Sequence, residues 1–323
     1  MTHPASIGDD AIAGPPLEFT GERFTPECVR EIWYEHWHRY VFARAFAPGR
    51  RVLDAACGEG YGSAMLAAAA VSVLGVDIAD AAVAHARQRY AQHANLRFEQ
   101  GDCTALTCAD AQFDMIVSFE TLEHVAGQEA LIAGFARTLA PDGVLIVSSP
   151  DKRTYSEKSG FRNEFHVREL YREELLDLLR PHFPFVRLYA QKLLFQSAIW
   201  ALDQADGSAQ VATSRDGEPQ RGFGYEPLYY IAVCAREAPS VDLPGLALFG
   251  DAEESVYAHY NHEIRKNMSA GQRIAELESE LAALRREAPG TADAQVDSAG
   301  EDRHGEDRPR RSGWRRWLPP GLR

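Results

Sequence analysis

The twelve residues from Val52 to Ser63, VLDAACGEGYGS, constrain this chain more than any other segment. An apolar strand runs into Asp54, Gly58, Gly60 and Gly62 follow in alternation, and an alanine-rich helical stretch, AMLAAAA, comes next. Strand, glycine turn and helix in that order make the ligand-binding crossover of a parallel α/β sheet. A residue without Cβ lets the backbone turn sharply and lie flush against a nucleotide-like ligand. Asp54 separates the two main readings. A dinucleotide site wants its third glycine one residue later, where Ser63 stands, and an apolar residue in place of Asp54, because its helix end receives a pyrophosphate. A carboxylate there repels a pyrophosphate and welcomes a cation.

Two more acids follow at strand ends. Asp77 closes the apolar run VSVLGVD, 23 residues beyond Asp54, where a carboxylate can accept hydrogen bonds from both hydroxyls of a ribose. Asp102 follows the third strand in LRFEQGD, and FDMIVSF and GVLIVSSP supply a fourth and a fifth. A helix over Val167–Leu179, a sixth strand FVRLYAQ and a last strand LYYIAVCAR complete the pattern. The expected fold is α/β: a doubly wound, mostly parallel seven-stranded sheet with ligands at the carboxyl ends of its strands.

Around that domain the chain divides by composition. Residues 1–50 read as a loose leader, to about residue 20, and a helical cap from Glu27 to Phe46, whose apolar face carries Ile32, Trp33, His36, Trp37, Tyr40, Val41 and Phe46. His36, His38, Tyr34 and Tyr40 of this cap could line an acceptor pocket, although helical aromatics more often belong to a core. The sheet domain takes 51–238, and 239–261 reads as a linker. Some thirty-five residues between the last two strands hold Trp200 and the polar run DQADGSAQVATSRDGEPQRG, read as part lid and part flexible insert. Over 262–288, Ile274, Leu277, Leu281 and Leu284 alternate in steps of three and four, as in a short coiled coil able to pair two chains or in a single amphipathic helix. The register runs back through Ala270 only weakly. Residues 289–323 read as a disordered acidic linker and a basic tail that is either merely solvated or, through Arg308, Arg310, Arg311, Arg315, Arg316, Arg323, Trp314 and Trp317, in weak peripheral contact with a membrane.

Charge narrows the partners. A formal net charge of −13 argues against a nucleic-acid substrate, because phosphate binding needs a basic field, and favours a small-molecule or neutral glycan acceptor. Cys28, Cys57, Cys103, Cys108 and Cys234 show no paired metal spacing and read as reduced thiols. With no signal-peptide pattern at the N-terminus and no apolar run of membrane length, the expected location is cytoplasmic, either free or peripheral at the inner face of the membrane.

The Val52–Ser63 segment, with Asp77 and Asp102, resembles the first motifs of the class I S-adenosylmethionine-dependent methyltransferases, whose ligand carries an ammonium, a sulfonium and no phosphate. The resemblance implies a cofactor site made of Asp54, Gly58, Gly60, Gly62, Asp77, Ile78, Asp102 and Cys103, with Asp77 on the ribose and Asp102 near the adenine. After the fourth strand, FETLEHV puts Glu120, Glu123 and His124 at i, i+3 and i+4, one face if the chain turns helical there. The polyprenyl-benzoquinol O-methyltransferases and the small-RNA 2′-O-methyltransferases have a similar Glu, Glu, His cluster that binds magnesium, and in the RNA enzymes a second histidine joins it. That resemblance implies Glu120, Glu123, His124 and His166 as ligands of Mg²⁺. The alternative gives His124 and Glu120 a direct catalytic or positioning role, and the plainest reading leaves a structural histidine. The words ERFTPE, EHWHRY and FHVREL are similar to bacterial methyltransferases found with surface-polysaccharide enzymes, which implies O-methylation of a glycan or glycolipid hydroxyl. A quinone-like or secondary-metabolite phenol is the other acceptor, and a non-catalytic coiled-coil adaptor the reading from another class.

Overall fold

A computed structural model describes Thr25 and residues 31–199, 210–215 and 218–287. The leader, Cys28, Trp200 with the first part of the insert, and the tail from residue 289 with its arginines and tryptophans lie outside the described residues. The chain divides into two units, Met1–His262 and Glu263–Arg323.

In the first unit the strands are β1 Arg51–Ala55, β2 Ser72–Asp77, β3 Leu96–Gln100, β4 Phe113–Ser118, β5 Leu139–Pro150, β6 Phe185–Gln191, β7 Ala212–Arg215, β8 Glu218–Arg221 and β9 Tyr229–Ala235. Seven of them form one sheet in the order β3-β2-β1-β4-β5-β9-β6. The first five are parallel, and β9 runs antiparallel to both β5 and β6. This is the expected seven-stranded class I arrangement. The order reverses between β1 and β4, and a crevice for ligands opens beside such a reversal.

The central strands are mostly apolar because both faces are covered. Val52, Met115, Val117, Val144 and Ile146 enter one core with the α1 residues Tyr40, Ala43 and Phe46. Their neighbours Leu53, Ile116, Leu145 and Val147 enter the other with Leu131, Phe135 and Leu175. The helices are α1 Glu31–Arg44, α2 Tyr61–Ala67, α3 Asp80–Arg89, α4 Gln128–Thr138, α5 Arg172–Leu179 and α6 Ser255–Glu287.

Three sequence expectations are corrected. The helix expected from Val167 begins at Arg172, because the N–H groups of Val167 and Arg168 donate to the Glu123 carbonyl and Leu170 bridges to Asp151. Glu174 then accepts from the Tyr171 N–H at 2.9 Å and fixes the helix start. The expected 239–261 linker is partly core and partly helix: Val241 and Leu243 pack on the first core, Phe249 stacks among Trp33, Tyr34 and His38, and α6 already begins at Ser255. Within the insert, β7 and β8 pair as a hairpin in a run that reads as purely polar. None of the described helices is long and apolar enough to cross a membrane.

Candidate functional site

The glycine turn after β1 is held mostly by the protein itself. Asp54 is fully buried, with Ser63 Oγ donating to it at 2.6 Å and the Tyr40 hydroxyl at 3.1 Å. Burial pushes its pKa up to about 7, against the pull of the Ser63 and Tyr40 hydrogen bonds. Gly60 sits at φ 95°, and a Cβ there would meet the Phe98 ring at 2.8 Å. Gly62 has another reason to be small. Its Cβ would fall 2.0 Å from the Tyr40 ring, so the third glycine makes room for the cap helix rather than for the ligand.

Asp77 faces back onto the turn. Its two oxygens accept from the Gly58 N–H at 2.8 Å and the Ala79 N–H at 2.9 Å. A carboxylate oxygen has two lone pairs, so one that accepts from an amide can also accept from a hydroxyl. Ile78, next in sequence, is 69% exposed and offers an apolar surface beside it. Asp102 accepts from the Thr104 N–H and hydroxyl, which hold its pKa below the usual carboxylate range. Cys103 is buried in the second core, and burial pushes its thiol up to about 12, so it stays a neutral thiol. The four described cysteines are all free.

Glu59, within the turn, is a residue that sequence reading passes over. Its buried carboxylate holds His85 and Arg89, each at 3.0 Å, and the Tyr90 hydroxyl at 2.8 Å, so it ties the turn to α3.

The segment after β4 does not form the single helical face that i, i+3, i+4 spacing predicts. Glu120 takes a left-handed φ of 48°, and only Leu122–His124 makes a helical turn. The cluster is therefore divided. Glu120 accepts from Ser148 Oγ at 2.6 Å and lies 3.5 Å from Arg39 Nη2. Glu123, His124 and His166 come together, with one ligand atom from each within 4.8 Å of the others. Among the described residues, Glu120 stands outside this group.

Hydrogen bonds decide what the group can do. The Phe165 carbonyl, 3.2 Å from His124 Nδ1, can only accept, so the proton belongs on Nδ1 and Nε2 is the unprotonated nitrogen. That Nε2 lies 3.8 Å from Glu123 Oε1. His166 is oriented the same way, Nδ1 against Glu169 Oε1 at 2.6 Å and Nε2 accepting from the Asn163 amide at 3.0 Å. Both carboxylate oxygens of Glu123 are buried with no hydrogen-bond partner among the described residues. Burial, and then the Glu120 carboxylate, push its pKa well above the ordinary range, which favours the neutral acid. A buried acid oxygen without a hydrogen-bond partner among the described residues is unusual and calls for an explanation.

Arg39 closes the site from the cap and is the second residue missed from sequence. Its Nε donates to Gln191 at 2.7 Å, its guanidinium covers the Tyr229 ring at 4.5 Å, and Nη1 and Nη2 have no hydrogen-bond partner among the described residues. Burial opposes its charge, but Glu120, Tyr229 and Glu35 outweigh burial and raise its pKa. The available signal is helical phase: Arg39 stands on the stripe of Ala43 and Phe46 that enters the core.

Residues 52–143 match the family model of a methyltransferase domain. A protein of Mycolicibacterium smegmatis, named "Probable S-adenosylmethionine-dependent methyltransferase", is 38% identical over 177 residues, 54% of this chain and 68% of that protein. A Mycobacterium tuberculosis protein of the same description is 38% identical over 167 residues, 50% of this chain and 60% of that protein. A solved S-adenosylmethionine-dependent methyltransferase from Thermotoga maritima is 18% identical, covering 63% of this chain and 90% of that one with a TM-score of 0.44.

Proposed function

The chain belongs to the S-adenosylmethionine-dependent methyltransferases, and on that premise we propose that it methylates a hydroxyl of a neutral, oxygen-rich acceptor, a glycan or glycolipid of the cell surface. S-adenosylmethionine supplies an electrophilic methyl group, and the remaining chemistry falls to the chain. The turn from Asp54 to Gly62 with Asp77 receives the cofactor, and the segment after β4 receives the acceptor.

The observation that carries the reading is the buried Glu123 carboxyl, without a hydrogen-bond partner among the described residues and 3.8 Å from His124 Nε2. An alcohol is a poor nucleophile until its proton has somewhere to go. His124 Nε2 takes that proton while the Phe165 carbonyl keeps the ring oriented through Nδ1. Polar and aromatic groups around it suit a polyol. Arg39 Nη1 and Nη2 and the Glu123 oxygens offer donors and acceptors, Tyr155 stacks on His166, and Tyr229 lies under Arg39. A carboxylate is close to each end of this set, so an anionic acceptor is disfavoured.

Glu123, His124 and His166 fit a divalent cation, Mg²⁺ by the resemblance. They would hold it once Glu123 loses its proton and the Asn163 amide turns aside from His166, and it would orient two adjacent hydroxyls and lower the pKa of one. Glu120 then positions Arg39 rather than serving as a ligand.

Calorimetric titration with S-adenosylhomocysteine separates this enzyme from a non-catalytic adaptor, since an adaptor that has lost the cofactor gives no heat. Methyl transfer from labelled cofactor to fractionated cell-envelope material then tests the acceptor. Label in periodate-sensitive glycan supports the reading, and label confined to phenolic lipid rejects it. Activity abolished by EDTA and restored by Mg²⁺ supports the cation, whereas activity that survives exhaustive chelation leaves His124 acting alone.

A further inference from the structure

Helix α6 carries an apolar seam with a defined heptad register. Ile274, Leu277, Leu281 and Leu284 are 57%, 46%, 48% and 64% exposed, a continuous stripe of large apolar side chains facing water. With Ile274 at position a, the a positions read Asn267, Ile274, Leu281 and the d positions Ala270, Leu277, Leu284. Position g then holds Lys266, Arg273 and Glu280, and position e holds Gly271, Glu278 and Arg285. We propose that this seam docks a second copy of the same chain as a parallel, in-register, two-stranded coiled coil, an interaction independent of the methyl-transfer reading.

Three features choose that occupant and orientation. In a parallel pair each g residue meets the e residue five positions on in its partner. Arg273 then faces Glu278 of the second copy and Glu280 faces Arg285, opposite charges on both occasions. An antiparallel pair that stacks Ile274 on Leu284 sets e against e and g against g. That arrangement opposes Glu278 to Glu278 and Glu280 to Glu280. Asn267 at an a position adds the third feature, because two such amides satisfy each other only when the chains lie parallel and in register. Within one helix, Arg273 has a partner at 2.9 Å in Glu276, and that exposed pair does nothing to cover the seam.

Fewer than three strong heptads make a weak coil, so the pairing is reversible and depends on concentration. Sedimentation equilibrium of the full chain reads it directly. The expected result is a particle approaching twice the 35.8 kDa of one chain at about 100 µM and dissociating on dilution. Leu277→Glu with Leu281→Glu should abolish the dimer while S-adenosylhomocysteine binding stays unchanged, which shows the first unit still folded. Arg273→Glu should weaken the dimer several-fold, and adding Glu278→Arg should restore part of the loss. Leu284→Cys should form a disulfide-linked dimer under mild oxidation where the unsubstituted chain forms none. A monomer at all concentrations overturns the proposal. So does a dimer in which Leu284→Cys fails to cross-link alone but links when Ile274→Cys is mixed in, the signature of antiparallel chains.

Discussion

The turn after β1 and the turn after β4 both stand at strand ends, both carry buried acids, and treat them in opposite ways. Asp54 is satisfied by Ser63 and Tyr40, and Asp77 by two backbone amides, before any ligand arrives. Glu123 and the terminal nitrogens of Arg39 are buried with hydrogen-bonding capacity unused among the described residues. On the proposed reading, a cofactor common to every turnover is met by a preformed cradle. The proposed acceptor side keeps polar groups in reserve, and the stability this costs would be recovered on ligand binding.

The largest expected effect tests whether the cradle is as closed as it looks. Asp54 holds its proton to about pH 7 in the native state, against an ordinary value of 3.8. The native state therefore binds more protons between these values, so the stability this group contributes is present at acid pH and is lost as pH rises through 7. The upper bound is about 4 kcal/mol. Thermal unfolding should fall from pH 5 to pH 8, and Asp54→Asn should flatten that slope. An equal slope in the variant would move the effect to Glu123, whose pKa is raised in the same direction.

On the acceptor side, Glu123→Gln imitates the protonated acid. With the cation in place turnover should drop about a hundredfold or more, because the amide cannot supply the carboxylate ligand, while the melting temperature at neutral pH changes little. A melt lowered as by a core lesion, with turnover intact, would make Glu123 structural and erase the contrast between the two turns.

Asp77→Ala should weaken S-adenosylhomocysteine binding by about 1.5 to 3 kcal/mol, read by calorimetry. Unchanged affinity would remove Asp77 from the ribose. The smallest effect is expected of Gly62→Ala, whose new methyl displaces the Tyr40 ring and loosens its bond to Asp54, for about 1 to 3 kcal/mol of stability. No loss there would mean that the cap helix and the turn are uncoupled.

Legibility followed the range of the interactions. The strands were readable because apolar runs bounded by turn residues are local, and Asp54, Asp77 and Asp102 were readable because each follows such a run. Glu120, Glu123 and His124 were found as a cluster but given the wrong geometry, since helical spacing says nothing of the left-handed residue that splits them. Glu59 and Arg39 were passed over because one charged residue in a polar stretch looks solvated. Only distant partners, Arg89 and Tyr90 for one and Gln191 and Tyr229 for the other, reveal the burial.

Sequence by itself determined the α/β fold, the methyltransferase family and the heptad stripe of α6, because periodicity and glycine placement act over a few neighbouring residues. Tertiary structure alone decided that Gly62 yields to Tyr40, that Glu120 belongs to Arg39, and that Glu123 meets His124 and His166. Each of these joins residues far apart in the chain, and what a buried charge does depends on which groups the fold has brought within hydrogen-bonding reach.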